Sequence, residues 1–114
     1  MANVEEINGI KVLAAEVSGL EATELRDMAD NLRDKIVSGV VVLASVKDDN
    51  VQLIAAVTKD LAGKKMHAGN IIKEVAKICG GGGGGRPDMA QAGGKDKTKL
   101  GEAFAKVKEI VSLG

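Results

Sequence analysis

"GVVVLASVKDDNVQLIAAV" (residues 39–57) holds two nearly continuous apolar runs, 39–46 and 51–57, rich in β-branched residues and separated by the polar turn formers of 47–50. Runs of that length and composition read as strands, and a polar four-residue join favours an antiparallel hairpin between them. Upstream, "GIKVLAAEV" (9–17) alternates well enough for another strand. Between that strand and the hairpin, "ATELRDMADNLRDKIVSG" (22–39) places Leu25, Met28, Ala29, Leu32 and Ile36 at spacings of three and four, one apolar stripe on a helix that stops near Gly39. Such a stripe needs a sheet to cover. Downstream, "AGNIIKEVAKICG" (68–80) predicts a helix that buries Ile71, Ile72, Val75 and Ile78 and ends on Gly80 as a left-handed cap. A third helix around "TKLGEAFAKVKEIVSL" (98–113) lines up Leu100, Phe104, Val107 and Val111, with Asp96 or Thr98 as candidate cap. The predicted order is β-α-β-β-α-Gly loop-α, an α/β (α+β-like) fold in which helices pack on a mixed sheet.

A chain of 114 residues makes one domain, with about two thirds of its unfolded surface buried around a single core. Hydrophobic residues at 45% against 28% charged exclude a disordered chain. No stretch approaches the roughly 20 apolar residues of a membrane span, and residues 1–10 lack the basic start and apolar centre of a signal peptide, so a cytoplasmic protein with no membrane partner is expected. The single cysteine, Cys79, excludes an internal disulfide and any cysteine-cluster zinc site.

The net charge of zero hides an asymmetry. Residues 1–58 carry five basic and ten acidic side chains, a net of −5, whereas residues 59–99 carry nine and four, a net of +5. The basic half surrounds "CGGGGGGRPDMAQAGGKD" (79–96), as a polyanion-binding face would, although halves of a sequence need not become halves of a surface. Only 29 residues follow Gly85, enough for one amphipathic helix that must dock back on the same core, so the run is a loop within the domain and not a linker. Glycine lets another molecule approach the main chain, at an entropic cost of roughly 0.5 to 1 kcal/mol per residue relative to alanine. Six in succession make a poor spacer and a reasonable contact surface.

Familiar phosphate loops do not fit. No Gly-x-x-x-x-Gly-Lys-Ser/Thr occurs, and the run follows a helix, whereas dinucleotide fingerprints follow a strand and open a helix. Consecutive backbone N–H groups still form an anion-holding concavity, Arg86 adds a planar charged fork, and Lys95, Lys97 and Lys99 add point charges, together enough to grip a sugar-phosphate backbone. Catalytic constellations are thin. His67, the only histidine, reads as an exposed helix-entry residue, and Cys79 as a small buried hydrophobe. Asp48 and Asp49 pair in a turn with no second ligand cluster, so no metal site and no catalytic residue is assigned. With no Tyr or Trp, and Phe104 in the core pattern, base stacking on aromatic platforms is excluded as the main mode.

"GGGGGGRPDMAQAGG" closely resembles the signature of the C-terminal globular domains of alanyl-tRNA synthetases, in the DHH-associated domain family. "LRDMADNLRDKI", "GVVVLASV", "VQLIAAVTKDL" and "AGNIIKEVA" resemble the family's successive elements, so the likeness covers roughly residues 10–111. Some family members carry lysine at the third glycine of the run, here Gly82. The resemblance implies a single tRNA-binding domain over residues 1–114, with about 1–8 an added start or the end of a preceding linker. It implies contact with the outer corner of tRNA, tRNA-Ala as expected cognate, and support of aminoacylation and editing by a parent ligase. The ATP, magnesium and zinc of such a parent belong to its other domains; this fragment is expected to need no cofactor, to catalyse nothing and to be monomeric. Carried over position by position, the tRNA-binding candidates are Gly80, Gly81, Gly82, Gly83, Gly84, Gly85, Arg86, Asp88, Gln91, Gly93, Gly94 and Lys95. The glycines and Arg86 are the leading contacts, Asp88 braces Arg86 or caps the loop, Gln91 offers an amide, and Pro87 and Met89 fix the loop and fill the core. The alternatives are the C-terminal domain of a DHH-family phosphoesterase, where a histidine stands in the place of Arg86, and that of a freestanding alanyl-tRNA editing protein.

Overall fold

The structure, a computed structural model, describes residues 4–48 and 50–113. Asp49, one of the two turn carboxylates, lies outside the described residues. Strands β1 (Val4–Ile7) and β2 (Ile10–Ser18) form a hairpin, and helix α1 (Ala22–Ile36) crosses over to β3 (Gly39–Lys47). Strand β4 (Asn50–Val57) returns antiparallel to β3, and helix α2 (Ala68–Ile78) follows. Then come β5 (Gly82–Gly85), β6 (Met89–Gly94), a short 3₁₀ turn (Lys97–Lys99) and helix α3 (Leu100–Leu113). The six strands lie in the order β1-β2-β3-β4-β6-β5, and of these pairings only β2 with β3 is parallel, joined by the crossover through α1.

Helices cover both faces. On one side, α1 sets Leu25, Ala29 and Ile36 against Leu13, Val41, Leu43, Ile54 and Ala56. On the other, α2 and α3 bury Ile71, Ile72, Val75, Val107 and Val111 against Val40, Val42, Leu53 and Ala55. Strands enclosed on both faces need apolar side chains at odd and even positions alike, which is why β3 and β4 read as continuous runs and not as alternations. Met28 sits at the exposed margin of the α1 stripe, Ile78 and Phe104 are half-buried, and Ala103 is the buried α3 residue beside Phe104.

Two parts of the expected order need correction. The segment read as a glycine loop holds two strands, β5 and β6: residues 82–85 form an edge strand paired with β6, from Gly82 opposite Gly93 to Gly85 opposite Ala90. Residues Val4–Ile7, placed in the span read as a linker or added start, form strand β1, with Glu5 of that strand paired to Lys108 of α3 at 3.0 Å. Glycine offers no side-chain alternation, and "VEEI" offers little, so neither strand shows a period-2 signal; backbone pairing with an existing sheet supplies what side chains do not.

Candidate nucleic-acid interface

The glycine hairpin starts where α2 stops. Gly80 adopts φ 75°, its N–H donates to the Lys77 carbonyl at 3.2 Å, and the Gly81 N–H donates to the Ala76 carbonyl at 2.8 Å. These two bonds make a Schellman cap that turns the chain sharply, so Gly80 is spent on the turn as its expected role required. The carbonyl of Cys79 then accepts from the N–H groups of Lys95 and Asp96 at 2.8 and 3.0 Å, fastening the far end of β6 to the same helix terminus. Burial, with a smaller contribution from the Asp96 charge, pushes the Cys79 thiol up, in keeping with a packing role.

The other end of the hairpin is fastened at the N-terminus of α2. The first-turn N–H groups of Ala68 and Gly69 donate to the carbonyls of Pro87 and Arg86, at 2.8 and 3.2 Å. His67 caps this helix through Nδ1, which accepts from the Asn70 N–H at 3.2 Å, so it is a half-buried capping residue where the sequence suggested an exposed one. Arg86 closes the hairpin by donating its N–H to the Met89 carbonyl at 3.0 Å. The Asp88 carbonyl accepts from the Val57 N–H at 2.9 Å and from the Arg33 guanidinium at 3.0 Å.

This scaffold divides the expected contact residues into groups. Gly84, Gly85, Arg86 and Gln91 border one open cleft of about 250 Å³. Arg86 is exposed, with its Nε 3.8 Å from an Asp88 carboxylate oxygen, so Asp88 does stand beside Arg86 while its second oxygen lies 4.0 Å from Arg33. Gly94 is buried against Cys79 and Gly93 is half-buried, which leaves both better placed to let the hairpin pack than to touch a ligand. Lys95 is exposed at the opposite end of β6 from Arg86, roughly 20 Å away at strand rise, so the two cations do not share one site. Met89 packs against the α1-side core as expected, whereas Pro87 is exposed and meets Gly63 across the turn. Downstream, Lys99 pairs with Glu102 at 3.5 Å, and Asp96 caps the 3₁₀ turn by accepting from the Thr98 N–H at 3.0 Å.

One cation was missed. Arg26 projects from α1 into the same cleft as Arg86 and also borders an adjoining, more polar hollow of about 190 Å³ with Arg33 and Asp88. Arg26 is exposed and in no ion pair among the described residues. Its place in the acidic half of the chain concealed it; the visible signal was the seven-residue spacing of Arg26 and Arg33, which puts both on one face of a helix. Among the described residues, no three His, Cys, Asp or Glu side chains converge as a metal site. Among the described residues, no helix is long and apolar enough to cross a membrane.

Comparison with known proteins gives the family. Residues 9–113 match the DHHA1 domain family model. The chain is 55% identical over 108 residues to an alanine–tRNA ligase of Oceanobacillus iheyensis, 57% identical over 108 residues to one of Geobacillus kaustophilus and 51% identical over 111 residues to one of Bacillus subtilis. Those alignments take in 95 to 97% of this chain but only 12 to 13% of the ligases, so the chain spans about an eighth of the curated relatives it matches. Among solved structures, the C-Ala domain of alanyl-tRNA synthetase from Aquifex aeolicus superposes with a TM-score of 0.91 at 38% identity, covering 96% of this chain and 98% of that one. A DHH-domain protein described as a member of a family of ribosomal proteins shares the fold alone, with a TM-score of 0.58 at 16% identity over 28% of its length. The chain thus belongs to the DHHA1 domain family, and within it to the C-Ala domains of alanyl-tRNA synthetase.

Proposed function

We propose that this domain is the tRNA-binding C-terminal module of an alanyl-tRNA synthetase, which holds the outer corner of tRNA while the parent's other domains aminoacylate and edit. The observation that carries the reading is the side-chain-poor edge hairpin with the exposed guanidinium groups of Arg86 and Arg26 on one cleft and Lys95 at its far end. Exposed main-chain amides and arginine forks suit phosphate and sugar, and a protein face without aromatic platforms suits a rigid folded RNA better than a single strand. ATP, magnesium and zinc act in the parent's other domains, in the cytoplasm, and this module binds tRNA as a monomer without turning it over.

The test is fluorescence anisotropy with three ligands at one near-physiological salt concentration: tRNA-Ala, another intact tRNA, and an acceptor-stem minihelix that keeps the alanine identity pair but lacks the D loop. Intact tRNAs should bind alike and well above the minihelix, because the corner is common to them. A minihelix that binds as tightly as tRNA would refute corner recognition and leave a general polyanion grip.

A further inference from the structure

The glycines of β5 are not equivalent. A Cβ on Gly81 would run into the Gly93 carbonyl and one on Gly83 into Ala92, while one on Gly85 would come within 2.8 Å of Ala90. Packing therefore fixes glycine at the odd positions. At Gly82 and Gly84 a Cβ would meet nothing within 4 Å, and neither residue has a positive φ. A Cβ could stand at either position without a clash, and most residues favour a strand more than glycine does. The fold gives no reason for these two to be bare, and a bare strand position otherwise marks close approach by something outside the chain.

Gly84 has a place for such an approach. It pairs with Gln91, and Gly84 and Gly85 line the cleft of about 250 Å³ together with Met89, Ala90, Gln91, Arg26 and Arg86. We propose that this cleft is a nucleobase subsite, in which one unstacked base of the folded RNA lies with its flat face on the Gly84 peptide; the proposal rests on the RNA-binding reading above. A planar peptide with no Cβ admits a planar ring at van der Waals distance. The Met89 thioether gives a polarisable apolar contact, as no aromatic residue borders the cleft. The Gln91 amide offers a donor and an acceptor to a base edge, and the two guanidinium groups take the phosphates on either side. Among the described residues no carboxylate borders the cleft, which suits the phosphates of RNA and not a cation. Gly101 in α3 is the control: equally open to a Cβ, but outside the cleft.

The experiment compares G84V, G84A and G101A with the unaltered chain. All three should unfold at or above its melting temperature. By anisotropy with intact tRNA, G84V should bind at least tenfold more weakly with an unchanged salt slope, because no phosphate contact is lost, and G101A should stay within twofold. In a second arm, ¹⁵N-glycine-labelled unaltered chain is titrated with AMP and with ribose 5-phosphate; AMP should move the Gly84 amide signal upfield through its ring current, and ribose 5-phosphate should not. G84V binding at full strength, or equal shifts from both compounds, overturns the base subsite and leaves an anion site. Should G84V fail to fold, the titration decides alone. If R86A also leaves tRNA binding unchanged, the RNA-binding reading of the hairpin fails with it.

Discussion

The Arg33 guanidinium donates to the Asp88 carbonyl at 3.0 Å across 55 residues of sequence, tying α1 to the turn of the glycine hairpin. Arg33 is only 18% exposed and also pairs with Asp30 on its own helix. The bond fixes the distance between the helix that carries Arg26 and the turn that carries Arg86, and so the width of the cleft between them.

Replacing Arg33 with alanine should lower stability by about 1 to 2 kcal/mol in urea unfolding, a modest loss because the Val57 N–H still satisfies the Asp88 carbonyl. Arg33→Lys should recover only part, since an ammonium cannot fork between Asp30 and Asp88. Full recovery by lysine would show that charge alone matters at this position.

The alternation in β5 yields a stability contrast. Gly83→Ala should destabilise by more than about 1 kcal/mol, because its Cβ is directed into Ala92. Gly82→Ala should be neutral or stabilising by up to about 1 kcal/mol. Gly82→Lys should fold equally well and, on the proposed function, bind tRNA more tightly at low salt, as the open position adds a cation to the edge strand. Melting curves of the three variants, with anisotropy for the lysine form, check all three expectations; equal losses for Gly82→Ala and Gly83→Ala would contradict the register.

Alanine at Arg86, Arg26 or Lys95 should weaken tRNA binding by about 1 to 3 kcal/mol and make the salt slope shallower by roughly one unit each. Lys47, which pairs with Glu21, serves as control and should leave binding unchanged. A titration at two salt concentrations reads both quantities, and an unaltered slope in all three variants would move the interface elsewhere.

Acid should act through Asp60. Its carboxylate accepts from the Ser38 and Thr58 hydroxyls, Ser38 having the larger effect, and both hold its pKa below the ordinary value of 3.8. A carboxyl group depressed in the folded state contributes stability that is fully present above its unfolded value and is lost as pH falls through its folded one. Asp60→Asn should therefore be less stable than the unaltered chain at pH 7 and at pH 5, and the gap should close toward pH 3. Urea midpoints at those three pH values test it; a gap that widens in acid would mean that the hydroxyls do not favour the charged form.

Val37 follows α1 at φ 69° and ψ −61°, with the Ser38 N–H bonded to the Ile36 carbonyl at 2.8 Å, and its side chain is 76% exposed. This is a γ-turn at positive φ, strained for a β-branched residue. Val37→Gly should raise stability by up to about 1 kcal/mol, since relief of strain outweighs the added freedom of the unfolded chain. A lower melting temperature would show that the turn is unstrained or that the valine makes contacts of its own.

The sequence by itself determined what local periodicity can encode. Two-sided burial wrote β3 and β4 as continuous apolar runs, the stripes of α1, α2 and α3 stood at helical spacing, and Gly80 marked the end of α2, because each of these signals lies within one segment. The glycine-arginine motif likewise pointed to the family the chain belongs to. Tertiary structure decided the rest. A strand of glycines has no side-chain pattern to read, so Gly82–Gly85 became β5 only when β6 offered its backbone partners. Arg26 joined Arg86 only because the parallel β2-α1-β3 crossover lays α1 over the face where β6 presents Met89 and Gln91. Which side chains share a cleft depends on strand order and on the side of the sheet each connection takes, and neither is a property of any single stretch of chain.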